Sequence, residues 1–143
     1  MTEPTLKSLK EFTELFFKLH WNIDELGDAP QWSDIDTRFR PIPNYNKQGV
    51  YAFIKGCEIT YIGVGASKVG GKYSGNGLSD RVMKYCRWID KANDHYGPVD
   101  KRLVDAGAIV TIGFEPNQAY LAYALEMYLI LKMQPIHNKV GRC

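Results

Sequence analysis

One carboxylate stands out among the residues of this chain that could do chemistry. From Gln118 to Met133 nearly every residue is apolar, with Leu121, Leu125, Leu129 and Ile130 among them, and Glu126 sits in the middle. Pro116-Asn117 is a reasonable start for a helix here, with Asn117 as its cap, and Pro135 marks its end. A helix apolar on all sides is expected to be buried. The only lysine of the run, Lys132, lies six positions beyond Glu126, so no basic side chain sits within a turn of it. An unpaired carboxylate in such a place is costly, so Glu126 must be neutral, paired with a base from elsewhere, or bound to a cation. The first two are structural accounts. The third would make it a metal ligand or catalytic group.

Two other stretches carry polar groups at informative spacing. Gly49 to Gly63 reads GVYAFIKGCEITYIG, two runs of β-branched and aromatic residues around Lys55-Gly56-Cys57-Glu58, the pattern of a hairpin bearing Tyr51 and Tyr61. Leu78 to Asp90 reads as a helix with Leu78, Val82, Cys86 and Ile89 on one apolar stripe and Arg81, Tyr85 and Trp88 beside it. Taken singly, these residues have plain readings: strands are rich in tyrosine, Arg81 with Lys84 and Arg87 fits a solvated helix face, and Asn138 fits a turn. Between the two stretches, Val64 to Gly77 combines five glycines with Lys68 and Lys72. The phosphate-cradle motifs fail there. Gly71 stands where a P-loop needs lysine, and Asp80 where a dinucleotide fingerprint needs its third glycine. What remains is a glycine-rich loop beside a candidate site.

The elements that must position these residues follow from periodicity. Thr5 to Leu19 is an amphipathic helix, with Leu6, Leu9, Phe12, Phe16 and Leu19 facing inward. Asn22 to Gln48 is a long irregular connection with Pro30, Pro41 and Pro43, expected to wrap the domain or reach a ligand. Within it, Trp32, Arg38, Arg40 and Tyr45 suit nucleic-acid contact and ordinary packing equally. Pro98 to Ala106 fits a short helix closed by Gly107, and Ala108 to Phe114 a third strand. The expected fold is α/β in the broad sense (α+β): a small, three-stranded, largely antiparallel sheet flanked by helices, with an extra N-terminal helix. Residues 1–48 form an extension packed on a core of residues 49–143, one domain overall.

Composition limits the function classes. A net charge of +2 permits a nucleic-acid partner without requiring one. Cys57, Cys86 and Cys143 are scattered and odd in number, which disfavours a disulfide framework or structural zinc site and suits free thiols in a reducing compartment. Charged residues interrupt the N-terminal apolar pattern, and no stretch approaches a membrane span. The expectation is a soluble, cytoplasmic protein without a membrane partner.

Taken together, Gly49-Val50-Tyr51, Tyr61-Ile62-Gly63, Arg81 with Tyr85 one helical turn later, Glu126, and Asn138 in Pro135-Ile136-His137-Asn138 resemble the GIY-YIG nuclease family. The resemblance runs from Gly49 to Asn138, with five elements in order. Nine residues separate Tyr51 from Tyr61, slightly fewer than usual, which a tight turn at Gly56-Cys57 would absorb. Val64 stands where many members carry lysine, and the loop from Val64 to Gly77 exceeds the minimal spacing, as in restriction-type members.

The resemblance implies a metal-dependent endonuclease acting on DNA, with one divalent metal, Mg²⁺ or Mn²⁺, at Glu126. Arg81 would hold the scissile phosphate and Tyr51 would act as general base on the attacking water. Tyr61 and Tyr85 would orient nucleophile or phosphate, and Asn138 would position a neighbouring group or the chain end. Lys68, Lys72, Lys84 and Arg87 are candidate phosphate contacts, with Lys91, Lys139 and Arg142 further ones. The expected partner is double-stranded DNA. A single site per domain makes a homodimer, joined through the N-terminal helix, a route to double-strand cleavage. The alternatives are a DNA-binding or inhibitory module that keeps the fold without cleaving, and an RNA nuclease. Neither spacing nor resemblance singles out His137.

Overall fold

A computed structural model describes residues 3–66 and 77–138. The chain is mixed α+β, and its centre is a three-stranded antiparallel sheet of β1 (Gln48–Lys55), β2 (Glu58–Gly65) and β5 (Ala108–Phe114), in the order β2-β1-β5. The hairpin turns at Gly56, whose φ of +63° is a left-handed conformation that favours glycine. The register then slips between Phe53 and Ile54, leaving Thr60 as the extra residue of a bulge. That bulge decides the face of Tyr61. It pairs with Phe53 and lies on the same side as Tyr51, whose partner is Gly63. The short interval between the tyrosines is therefore absorbed by the turn and the bulge together.

Alternation divides the sheet into two cores. Val50, Ala52, Ile54, Ile59 and Ile62 face one way, with Val110, Ile112 and Phe114, and pack under α1 (Leu6–His20) and α5 (Ala119–Met133) through Leu9, Phe16, Ala122, Leu125 and Leu129. Tyr51, Phe53 and Ile109 face the other way and meet Leu78, Val82, Tyr85, Cys86 and Leu103. Helix α1 starts where its sequence pattern says, with Thr5 and Ser8 forming a reciprocal cap at its N-terminus.

Both sheet edges are covered, as unpaired edges require. The long connection contains a single turn of helix, α2 (Ile23–Leu26), and then runs along β5: Ser33 N–H donates to the Thr111 carbonyl, and Asp36 and Ile109 exchange backbone bonds. Trp32 packs there with its Nε1 donating to Thr13 Oγ1 at 2.8 Å, and Arg40 pairs with Asp94 at 3.1 Å. At the β2 edge, His137 N–H donates to the Thr60 carbonyl, and the Asn138 amide both accepts from Ile62 N–H and donates to the Ile62 carbonyl, each at 2.8 Å.

Leu19, expected on the inward face of α1, is exposed instead. Four further local expectations are corrected. The helix expected from Leu78 to Asp90 is α3 (Gly77–Val82) followed by a 3₁₀ turn, Met83–Tyr85, after which the chain becomes β3 (Cys86–Asp90). Cys86-Arg87-Trp88-Ile89 also reads as a strand, and pairing with β4 (His95–Pro98) selects that state, leaving Ile89 exposed. Pro98 consequently ends a strand, and the short helix α4 (Lys101–Ala106) follows with Asp100 as its cap. Asn117 does not cap α5; Glu115 and Gln118 close the preceding turn by bonding each other's backbone. Finally, α5 is not buried all round. Tyr120, Tyr123, Met127 and Leu131 are exposed along its outer side. No helix among the described residues is long and apolar enough to cross a membrane.

Candidate active site

The tyrosine face of the sheet carries the polar groups. Tyr51 is completely buried, and its ring crosses Gly63 so closely that a Cβ there would lie 2.4 Å from the phenol. Only glycine fits opposite this tyrosine. Tyr85, delivered by the 3₁₀ turn, places its hydroxyl 3.0 Å from that of Tyr51. The half-buried Tyr61 completes the cluster, with ring centroids 6.2 Å from Tyr51 and 6.4 Å from Tyr85. Arg81, from α3, lies beside the Tyr51 hydroxyl on the wall of the same cavity.

Glu126 reaches this face although its helix packs on the other one. Helix α5 lies across the apolar side, and Glu126 extends past the β2 edge, where its carboxylate lies near the Val64 N–H. Ile62 and Val64 stand two apart, so their outward backbone groups share the outer edge of β2. Asn138 takes the one and Glu126 the other. Glu126, Tyr51, Tyr61, Arg81, Lys84 and Asp80 thereby line one cavity of about 320 Å³, floored by Gly63 and Val64. Glu126 and Tyr61 also border a larger cavity of about 510 Å³ that contains Arg102, Met127, Ile130, His137 and Asn138.

The electrostatics follow from burial and charge. Burial raises the Glu126 carboxyl above the usual range, against the opposing charge of Arg81 and the Val64 N–H. This answers the question posed by the sequence: the nearby positive charge comes from Arg81 on another element. Burial, and next the proximity of Tyr85, push the Tyr51 phenol far above its ordinary value, with the Arg81 hydrogen bond pulling the other way. Tyr61 is pushed up to about 12 by burial and by Tyr85, opposed by Arg102 and Arg81. Arg81 itself is held above its usual value, chiefly by its bond to Tyr51.

Five of the expected residues thus meet: Tyr51, Tyr61, Arg81 and Glu126 around the smaller cavity, and Tyr85 directly behind Tyr51. Lys84 joins them at the rim. Asn138 bonds both backbone groups of Ile62 on β2 and borders the larger cavity. Arg87 is exposed on β3 and does not line the cavity. Lys68, Lys72, Lys139 and Arg142 lie outside the described residues. The sequence reading missed Arg102. Its guanidinium lies 4.7 Å from the Tyr61 ring and 4.9 Å from the Tyr85 ring, held by a two-pronged bond to Asp100 at 3.0 and 3.1 Å. In sequence it is one of two basic residues on a short helix, and nothing there links it to the tyrosines. His137 likewise borders the larger cavity, with Nε2 at 3.2 Å from Asp105.

The donor set can be tested for a metal. Glu126 makes no ion pair within 4.0 Å among the described residues, and no group of three or more His, Cys, Asp or Glu side chains is gathered there. That rules out an all-protein cage among those residues. It fits a hard cation such as Mg²⁺, which keeps waters and takes oxygens from one or two carboxylates and a substrate phosphate. Comparison of the chain with protein-family models, curated proteins and solved structures finds no match.

Proposed function

We propose that the chain is a metal-dependent endonuclease that hydrolyses phosphodiester bonds in DNA, with a GIY-YIG-like site. The observation that carries this reading is the convergence of the Glu126 carboxylate, an arginine and two tyrosines, drawn from four separate elements, on one open cavity. Glu126 would hold the divalent cation, with Asp80 as the only other carboxylate bordering that cavity among the described residues. The cation, when bound, supplies Lewis-acid stabilisation to the phosphoryl and leaving oxygens.

The chain's own residues do the rest. Arg81 orients two phosphate oxygens with its guanidinium fork, and Lys84 neutralises a neighbouring phosphate. Glu126 must be ionised to act, and burial makes that harder than usual. Tyr51 and Tyr61 orient the attacking water by hydrogen bonding. Proton acceptance by Tyr51 requires its phenolate, which burial disfavours and Arg81 favours. A general base in this position therefore depends on positive charge from substrate-bound groups beside Arg81. A single site of this kind cuts one strand at a time, so double-strand cleavage takes two copies or two nicks; exposed Leu15 and Leu19 on α1 leave that helix available as the contact.

A second reading has one observation in its favour. The deep burial that keeps Tyr51 protonated suits a fold that binds DNA without cutting it. Incubation with duplex DNA, with Mg²⁺, Mn²⁺ or chelator, followed by mapping of product ends, separates the two. Cation-dependent cuts or nicks support the nuclease. Retention of DNA with no cleavage under any cation supports the binding module.

A further inference from the structure

The smaller cavity accounts for a phosphate but leaves the larger one without a task. The two share Tyr61 and Glu126, so an occupant of the larger cavity lies directly beside anything held by Arg81. Its walls are of two kinds. Met127 and Ile130 of α5 offer apolar surface, while Arg102 brings a cation. Arg102 is prearranged: Nε and Nη2 are held by Asp100 and the guanidinium plane lies near two phenol rings, which leaves Nη1 with no protein acceptor among the described residues. An apolar wall, an aromatic ring and a fixed guanidinium are the groups that take a nucleobase and its phosphate. The volume of about 510 Å³ is in the range of small-ligand sites and suits one nucleotide, not a stacked base pair with both of its sugars.

We propose that the larger cavity is a nucleotide subsite, receiving the nucleotide next to the scissile phosphate as a single unpaired residue with its base against Met127 and Ile130 and its phosphate at Arg102. The inference rests on the nuclease reading and deepens it. The preferred substrate is then DNA that is single-stranded or frayed at the cut, because a paired nucleotide must first leave its stack, at the expense of unpairing.

The direct test measures binding of deoxynucleoside 5′-monophosphates to the full chain by nuclear magnetic resonance, with inorganic phosphate and the free deoxynucleosides as separate probes. The monophosphates are expected to shift signals of Arg102, Met127 and Ile130, and to bind at least about tenfold more tightly than either separate probe. Arg102→Met should weaken them about tenfold, and Met127→Trp, which fills the cavity from an exposed position, should do the same. Circular dichroism and thermal midpoints check that both variants fold. Equal binding of phosphate and nucleotide, or nucleotide binding undiminished in both folded variants, overturns the subsite. In cleavage assays, frayed or single-stranded DNA should be cut about tenfold faster than continuous duplex, and equal rates also overturn it. Nucleotide binding in a protein that cuts nothing supports the subsite and overturns the nuclease reading. Cleavage without nucleotide binding does the reverse.

Discussion

Strand β1 presents two different interiors from alternate residues. Val50, Ala52 and Ile54 enter an aliphatic core under α1 and α5, whereas Tyr51 and Phe53 enter a core of rings edged by Arg81 and Arg102. Both sides bury the side chains of β1. They differ in what must be satisfied there. The aliphatic side needs mainly shape, since the buried residues of its cluster carry no side-chain nitrogen or oxygen. On the tyrosine side each hydroxyl needs a partner, and Tyr51 and Tyr85 supply one another's. That requirement fixes the geometry of the tyrosine side more tightly than packing alone could. Glu126 connects the two interiors. Its helix is anchored by the aliphatic core, and its carboxylate serves the other face.

Truncation on the aliphatic side should have the largest effect on stability. Leu125 is fully buried under the sheet, so Leu125→Ala should lower unfolding free energy by ~2–5 kcal/mol, measured by urea denaturation. Below its new midpoint the variant should retain cleavage activity, because nothing on the tyrosine side is removed. Activity lost in proportion to stability would erase the distinction between the two faces.

Gly63→Ala attacks the tyrosine side through packing. The added methyl would collide with the Tyr51 phenol, which must move or displace β2. An overpacking loss of ~1–3 kcal/mol is expected. Cleavage should fall further than that loss explains, since the Tyr51 hydroxyl leaves its bonds to Tyr85 and Arg81. Full activity in this variant would show that the position of Tyr51 is immaterial.

The smallest effect is visible only in alkali. Tyr61 is raised from 10.0 to about 12, and Tyr51 further, so both stay protonated while unfolded phenols ionise. Above pH 10 the unfolded chain therefore binds fewer protons than the native one, and stability falls as pH rises through 10 toward 12. The Cys86 thiol, raised to about 11 by burial, adds to the same decline. Urea midpoints across this range should drop less steeply in Tyr51→Phe and Tyr61→Phe than in the unmodified chain. An unchanged slope in both would mean that the phenols are not shielded.

Legibility in the sequence followed the same division. The hairpin, β5, α1 and α5 were readable because alternation and helical periodicity act locally. Glu126 was readable because a carboxylate in an apolar run violates the pattern around it. The switch from α3 to β3 was not, since Cys86 to Ile89 satisfies either pattern and only pairing with His95–Pro98 decides. The Thr60 bulge, which puts Tyr61 beside Tyr51, is a matter of register across two strands. Arg102 was hidden because its approach to Tyr61 depends on how α4 docks, while its sequence context resembles a solvated helix.

The central claim is that Glu126, carried around the sheet edge, gives the tyrosine face a cation-dependent phosphodiesterase site. The measurement that tests it most directly is the rate of DNA cleavage across a Mg²⁺ titration for the unmodified chain and for Glu126→Gln. The substitution keeps the shape of the side chain and one oxygen for the Val64 N–H. The account predicts Mg²⁺-dependent cleavage in the unmodified chain and a loss of roughly 10²–10³-fold or more in a folded Glu126→Gln variant. Cleavage that needs no metal and is unchanged in Glu126→Gln would contradict it.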